Sequence, residues 1–207
     1  MKTKKKEPSK KKITGSSQPN QTEYWSKQDE YKLEATHPHR QLILDELKKL
    51  EPFAGVLEVG CDIGQNLYLV GINYPETQLA GVDVNARAME SAQVVLPKAI
   101  FKIGNATELP FEDKSFDIVI YDAVLMYVKD IDKALSEAQR VARKAIIIVD
   151  WESKKGKLIG HSIARNYPEI LKIEGLKLTE MQWPNEKWIK YGRLYVYRLP
   201  SPTSEKS

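Results

Sequence analysis

The sequence predicts an α/β fold, a doubly wound and mostly parallel sheet of seven strands whose last strand is antiparallel. In residues 55–67, a short apolar run typical of a buried strand is followed by a glycine turn and then a helical pattern. A second apolar run, 79–84, contains an acid near its end. The last two predicted strands, 176–183 and 193–199, are separated only by residues 184–192. A parallel crossover needs about a dozen residues or more, so this closing pair is predicted to be antiparallel.

The remaining elements continue the alternation of helices and strands. Apolar residues between 42 and 50 recur at intervals of one, three and four, which predicts an amphipathic helix ended by Pro52. Asn85 follows the second strand and is the predicted N-cap of the next helix. Further apolar runs predict strands at 100–103, 116–122 and 145–149, with a helix at 131–141 before the last of them.

The glycine turn lies where an open α/β sheet binds its ligand, beyond the carboxyl end of a strand. A dinucleotide fingerprint would need glycines at positions 60, 62 and 65, and Asp62 and Gln65 stand at two of these. The stretch instead reads E-x-G-x-x-x-G, beginning at Glu58. Asp83 follows Gly64 at close to the spacing of about 20 residues at which an acid meets a ribose in nucleotide-binding folds. One carboxylate can accept hydrogen bonds from two vicinal hydroxyls, so we predict an adenosine ligand.

Composition favours a reduced, cytoplasmic globular protein. Hydrophobic residues make up 42% of the 207 residues, and no apolar run approaches the roughly 20 residues of a membrane helix. The first twenty residues contain no hydrophobic segment of the kind found in signal peptides. The single cysteine, Cys61, cannot form an internal disulfide, and no Cys/His cluster suggests a metal site.

The positive charge is concentrated at the start of the chain. Residues 1–12 contain seven lysines and one glutamate, a charge of +6, so the net charge of +4 leaves −2 for residues 13–207. We predict a disordered Lys-rich tail at 1–20, a folded domain at 21–200 and a second disordered tail at 201–207. The lysines could tether the protein to RNA, DNA or anionic lipid, or could serve only solubility, and both interpretations stay open.

Two motifs resemble those of class I S-adenosylmethionine-dependent methyltransferases. The stretch from Glu58 to Gly64 resembles motif I of that family, (D/E)-x-G-x-G-x-G, with Asp62 at the place of the middle glycine. Residues 104–111 resemble the adenine-contacting segment G-D-A-x-x-L-P-F, with Asn105 in place of the acid. The resemblance covers roughly residues 36–199 and implies a Rossmann-like methyltransferase fold, in which an antiparallel last strand follows five βα units.

The resemblance implies S-adenosyl-L-methionine as cofactor. Asp83 would accept from the ribose hydroxyls, Asn105 from the adenine amino group, and an adenine ring nitrogen would accept from the backbone N–H of Ala106. Asp62 fits the motif if its φ is negative or if it adopts the left-handed conformation that Asp tolerates. The predicted cofactor contacts are Glu58, Gly60, Cys61, Asp62, Gly64, Asp83, Val84, Asn105, Ala106 and Asp122.

Methyl transfer needs a general base only if the acceptor must lose a proton. The candidates for that role, or for positioning the acceptor, are Asp122, Tyr127, Asp150 and His161, each of which could instead be a structural cap. We place Trp151 on the same wall, and Arg165 beside His161 at a lid, where they could bind an acidic acceptor. Arg165 could equally pair with a surface acid, and His161 could cap a helix.

Three classes of function agree with these features. The first is a methyltransferase for a small molecule or sugar, which the acidic body and the absence of nucleic-acid motifs favour. The second is an RNA or protein methyltransferase tethered by the basic tail. The third is a non-catalytic binding module of the same fold.

His37 and His39, at the start of the first helix, could contact the ligand, although packing is the simpler role.

Overall fold

The computed structural model describes residues 38–171, 177–180 and 192–200, so the expectations for both tails and for His37 lie outside the described residues. The helices are α1 (Pro38–Lys48), α2 (Gln65–Asn73), α3 (Ala86–Val95), α4 (Ile131–Val141) and α5 (Tyr167–Leu171), with a 3-10 turn at Leu125–Tyr127. The strands are β1 (Gly55–Val59), β2 (Gln78–Asp83), β3 (Ile100–Ile103), β4 (Phe116–Asp122), β5 (Ala142–Trp151), β6 (Lys157–Ile159), β7 (Ser162–Ala164), β8 (Lys177–Glu180) and β9 (Gly192–Arg198).

Seven of these strands form one sheet in the order β3-β2-β1-β4-β5-β9-β8. The first five in sequence run parallel to one another, and β9 lies antiparallel between β5 and β8. This arrangement confirms the predicted doubly wound sheet with an antiparallel last strand. The strand order reverses between β1 and β4, and a crevice for a ligand opens at the carboxyl ends of strands at such a point.

Both faces of the sheet are covered, which explains why its central strands are apolar without alternation. One face packs against α1, α2 and α3, and the other packs against α4 and α5. Strands β1 and β4 are buried along almost their whole length, whereas β3 lies at the edge and leaves Ile103 62% exposed. None of the helices in the described part of the chain is long and apolar enough to cross a membrane.

Asp117 anchors the segment that enters β1. Its carboxylate accepts from the backbone N–H of Ala54 at 2.6 Å and from Nε of Arg143 at 3.0 Å. Burial acts to raise the pKa of Asp117, but these hydrogen bonds and the charges of Arg143 and Lys144 outweigh it and hold the pKa below its ordinary value. The carboxylate therefore joins the start of β1 to the start of β5.

The helix predicted at 131–141 is present as α4, and the chain differs from the sequence prediction from β5 onward. Strand β5 extends to Trp151, so Asp150 and Trp151 lie inside the strand and not beyond its end. A short hairpin, β6–β7, and the five-residue helix α5 follow, and neither was predicted. Elements of three to five residues are too short for their apolar periodicity to be read from sequence.

Candidate functional site

The turn after β1 is held in an unusual backbone conformation. Gly60, Asp62 and Gly64 all have positive φ, at 71°, 48° and 79°. The backbone N–H groups of Gly60 and Cys61 donate to the carbonyl of Val82 at 2.7 and 3.2 Å, which ties the turn to β2. Asp62 thus adopts the left-handed conformation, one of the two that the sequence prediction allowed.

Asp83 ends β2 directly beside this turn. Its Oδ2 accepts from the backbone N–H of Asp62 at 3.0 Å, and its Oδ1 accepts from that of Asn85 at 3.0 Å. Asn85 in turn caps α3 by accepting from the backbone N–H groups of Arg87 and Ala88, which confirms the predicted N-cap. Burial raises the pKa of Asp83, opposed by the backbone hydrogen bonds it accepts. Each carboxylate oxygen retains further acceptor capacity on its other lone pair.

A cavity of about 260 Å³ opens next to the turn. Helix α1, strand β1, the turn, the first residues of α2 and the end of β4 all contribute to its wall. The lining residues are His39, Arg40, Glu58, Gly60, Cys61, Asp62, Gln65, Asn66, Asp122 and Ala123. Three polar side chains of this set, Arg40, Gln65 and Asn66, were not among the predicted site residues, and His39 was considered as a ligand contact but assigned the simpler packing role.

Asn66 is the centre of the hydrogen bonds in this cavity. Its Nδ2 donates to Oε1 of Glu58 at 2.6 Å and to Oδ2 of Asp122 at 2.9 Å, so one amide group bridges two acids. Its Oδ1 accepts from the Arg40 guanidinium at 2.7 Å. His39 completes the group, with Nε2 at 2.6 Å from Oδ2 of Asp122.

The two bridged acids differ in their partners. Burial acts to raise the pKa of Asp122, but the hydrogen bond and electrostatic interaction with His39, the hydrogen bond from Asn66 and the charge of Arg40 together outweigh it, so the pKa lies below its ordinary value. Glu58 is 2% exposed, its Oε2 has no hydrogen-bond partner, and burial raises its pKa to about 8. Asp62, at the mouth of the cavity, has a pKa raised to about 6 by burial and then by the charge of Asp83.

Other predicted cofactor contacts lie around this centre. Cys61 is 3% exposed, and burial raises the pKa of its thiol, so its backbone is the part available to a ligand. Val84 is half-buried beside Asp83, and Ala106 is buried. Asn105 is exposed, and its Oδ1 accepts from both the backbone N–H and the hydroxyl of Thr107. An adenine amino group would have to displace Thr107 from that oxygen.

Asp150 does not reach the cavity. It is 0% exposed, and its Oδ2 accepts from the backbone N–H of Met126 at 2.8 Å and from the hydroxyl of Tyr167 at 3.0 Å. Its Oδ1 accepts from the backbone N–H of Trp151, and burial raises its pKa to about 7. The expectation that Asp150 faces an acceptor is therefore corrected, because its carboxyl holds the 3-10 turn against β5.

Arg165 has a similar structural role. The residue is 7% exposed and its guanidinium donates to the backbone carbonyls of Leu125 and Val128, so it does not lie at a lid and is not offered to an acidic acceptor. His161 is exposed at the turn between β6 and β7. Tyr127 is half-buried against a small apolar cluster formed by Ala123, Met126, Trp151, Ile159 and Ala164. Of the four predicted catalytic side chains, Asp122 alone lines the described cavity.

Comparison with known proteins gives one consistent result. Residues 57–149 match a protein family described as "Methyltransferase domain". Ajmaline N-methyltransferase from Rauvolfia serpentina is 29% identical over 100 residues, which are 45% of this chain and 34% of that protein. Demethylmenaquinone methyltransferase from Bacillus mycoides is 32% identical over 98 residues, 47% of this chain and 39% of that protein. The chain thus aligns with less than half the length of either relative.

The fold of the chain is also similar to that of a solved structure. The crystal structure of PH0226 protein from Pyrococcus horikoshii OT3 superposes with a TM-score of 0.61 at 16% identity, covering 85% of this chain and 98% of that chain. At this identity the similarity concerns the fold alone.

Proposed function

We infer that this chain, which belongs to the class I S-adenosylmethionine-dependent methyltransferases, binds S-adenosyl-L-methionine and transfers its methyl group to a small-molecule acceptor. The observation that carries this inference is the position of Asp83. Its carboxylate stands at the carboxyl end of β2, is oriented by the N–H groups of Asp62 and Asn85, and adjoins the left-handed glycine turn. An oriented carboxylate at this point suits the two vicinal hydroxyls of a ribose.

The cavity beside Asp83 suits the amino-acid portion of the same cofactor. Glu58 presents a buried carboxyl oxygen with no hydrogen-bond partner, and an ammonium group would satisfy it. The guanidinium of Arg40 contacts the amide oxygen of Asn66, whereas Glu58 contacts the amide nitrogen of the same side chain. A guanidinium is a cation that binds carboxylates well. The donor set therefore matches a group that carries both an ammonium and a carboxylate.

S-adenosyl-L-methionine, when bound, supplies a methyl group on a sulfonium, so that a neutral thioether leaves. The contribution of the chain is chiefly orientation, which in well-aligned systems is worth about 7–11 kcal/mol of the barrier. Asp122 lies at the end of β4 with its pKa below the ordinary value and His39 in hydrogen-bond contact. This pair is the candidate to accept a proton from an acceptor that must lose one, a contribution of about 10²–10⁴-fold.

A small-molecule acceptor is supported by the relatives. Ajmaline N-methyltransferase and demethylmenaquinone methyltransferase are named for small organic molecules. The acidic balance of residues 13–207 also disfavours a polyanionic acceptor on the folded domain itself.

Two measurements on the full chain test this function. Titration calorimetry with S-adenosylhomocysteine should give one site, and methyl-labelled S-adenosylmethionine should transfer label to the small-molecule fraction of a cell extract. Label that enters RNA or protein, and is removed by nuclease or protease, would contradict the small-molecule acceptor and favour the tail-tethered class. Binding without transfer to any fraction would indicate a non-catalytic binding module.

A further inference from the structure

Among the described acids that line the cavity, Glu58 has a fully buried carboxyl oxygen, Oε2, with no hydrogen-bond partner. We propose that Glu58 holds a proton in the cofactor-free site and loses it when the ammonium of the cofactor enters, so that this residue selects ligands carrying that cation. The proposal rests on the proposed function and specifies how the same site recognises its ligand.

The basic side chains that line the described cavity lie closer to Asp122 than to Glu58. His39 lies 2.6 Å from Asp122, and an Arg40 nitrogen lies 3.9 Å from the same carboxylate. Glu58 receives a single neutral donor, the amide of Asn66, which it shares with Asp122. The basic side chains of the described cavity are therefore placed against Asp122, and an ionised Glu58 would have no basic side chain within ion-pair distance among the described residues.

The surroundings of Glu58 also favour its protonated form. Helix α1 presents His39 and Arg40 to the cavity, β4 presents Asp122, and the turn presents Cys61 and Asp62. Burial is the largest influence and raises the pKa of Glu58 to about 8, with Asp122 and Asp62 acting in the same direction and with Asn66 and Arg40 opposing. A buried carboxyl group without a cation binds a proton in preference to remaining charged.

The exchange balances without any further reactant. The O–H bond of the Glu58 carboxyl breaks, the proton passes to buffer, and the resulting carboxylate accepts an N–H from the ligand's ammonium. A ligand with the same nucleoside but no ammonium offers no such partner. It leaves Glu58 protonated and should bind without proton release.

The test measures proton release by titration calorimetry of the full chain at pH 7, in buffers that differ in ionisation enthalpy. The two probes are S-adenosylhomocysteine, which carries the ammonium, and 5′-deoxy-5′-methylthioadenosine, which lacks the amino-acid portion. S-adenosylhomocysteine should release about 0.9 of a proton per site, the protonated fraction at pH 7 of a group with pKa about 8. At pH 8 the release should fall to about half of a proton per site, and methylthioadenosine should release almost no protons at either pH.

Variants locate the exchanging group. Glu58→Gln should abolish the proton release, and it should weaken the binding of S-adenosylhomocysteine more than that of methylthioadenosine. Glu46→Gln is the matched control, since Glu46 is 4% exposed on α1 and contacts Lys49 outside the cavity, and it should behave like the wild type.

The outcomes separate this proposal from the proposed function. Binding of S-adenosylhomocysteine without proton release, or unchanged release in Glu58→Gln, would overturn the proton exchange while leaving the cofactor assignment intact. Failure of both probes to bind the folded wild type would overturn the proposed function and this inference with it. If Glu58→Gln does not fold, the comparison of the two probes on the wild type decides.

Discussion

Replacing Gly60 by Ala should destabilise the protein through two separable causes. The positive φ of 71° places a side-chain-bearing residue in the left-handed region, which costs about 1–2 kcal/mol. The added methyl carbon would also lie 2.3 Å from Cγ2 of Val124, whereas carbon atoms pack at about 3.5–4.0 Å. Overpacking of this kind costs about 1–3 kcal/mol, so the total loss should be about 2–5 kcal/mol.

A second substitution separates the two costs. Val124→Ala removes both methyl groups nearest to the new carbon and leaves Cβ of residue 124 at 3.2 Å. The double variant should therefore recover most of the packing cost and keep the strain, with a coupling free energy of about 1–3 kcal/mol. Gly64→Ala is the matched control, because its φ is 79° but its nearest neighbour, Cζ of Phe101, lies 3.4 Å away. It should lose only about 1–2 kcal/mol, irrespective of residue 124.

Urea denaturation of the wild type, the single variants and both double variants gives the free energies of unfolding for this cycle. Equal losses for the two glycine substitutions, or strictly additive effects of Gly60→Ala and Val124→Ala, would refute the contact with Val124. Complete recovery in the double variant would refute the contribution of backbone strain.

Three further predictions concern the ligand, the stability and the tail. Asp83→Ala should weaken S-adenosylhomocysteine binding by about 1.5–3 kcal/mol in calorimetry, the range for hydrogen bonds to a charged group; unchanged affinity would exclude the ribose contact. Asp117→Asn should lower the free energy of unfolding at pH 7 by about 1.5–3 kcal/mol. Because the folded-state pKa of Asp117 lies below its ordinary value, its contribution is present above that ordinary value and is lost as the pH falls through the folded-state pKa. The wild-type and variant curves measured against pH should therefore converge in acid, and a constant difference would contradict this. Deletion of residues 1–20 should leave both the melting temperature and the S-adenosylhomocysteine affinity unchanged, and loss of either would show that the tail belongs to the domain.

Much of the fold and half of the site follow from short stretches of sequence. The apolar runs located the strands of the main sheet, and the short link between the last two strands predicted their antiparallel pairing, because both signals depend on neighbouring residues. Gly60, Gly64 and Asp83 were recognisable because a turn with positive φ and an acid at a strand end are local features. The structure joins them by the hydrogen bond from Asp62 to Asp83.

Packing between distant segments decided the rest of the site. His39 meets Asp122 across 83 positions of the chain, and Arg40 meets Asn66 across 26, so no local spacing signals either contact. The same packing buries Asp150 and Arg165 among backbone groups of the 3-10 segment, where they stabilise the wall and do not face an acceptor. Residue type and strand position by themselves determined which chemical groups reach the edge of the sheet. Their burial and their hydrogen-bond partners depend on how the helices dock there, and only the tertiary structure decided which groups face the cavity.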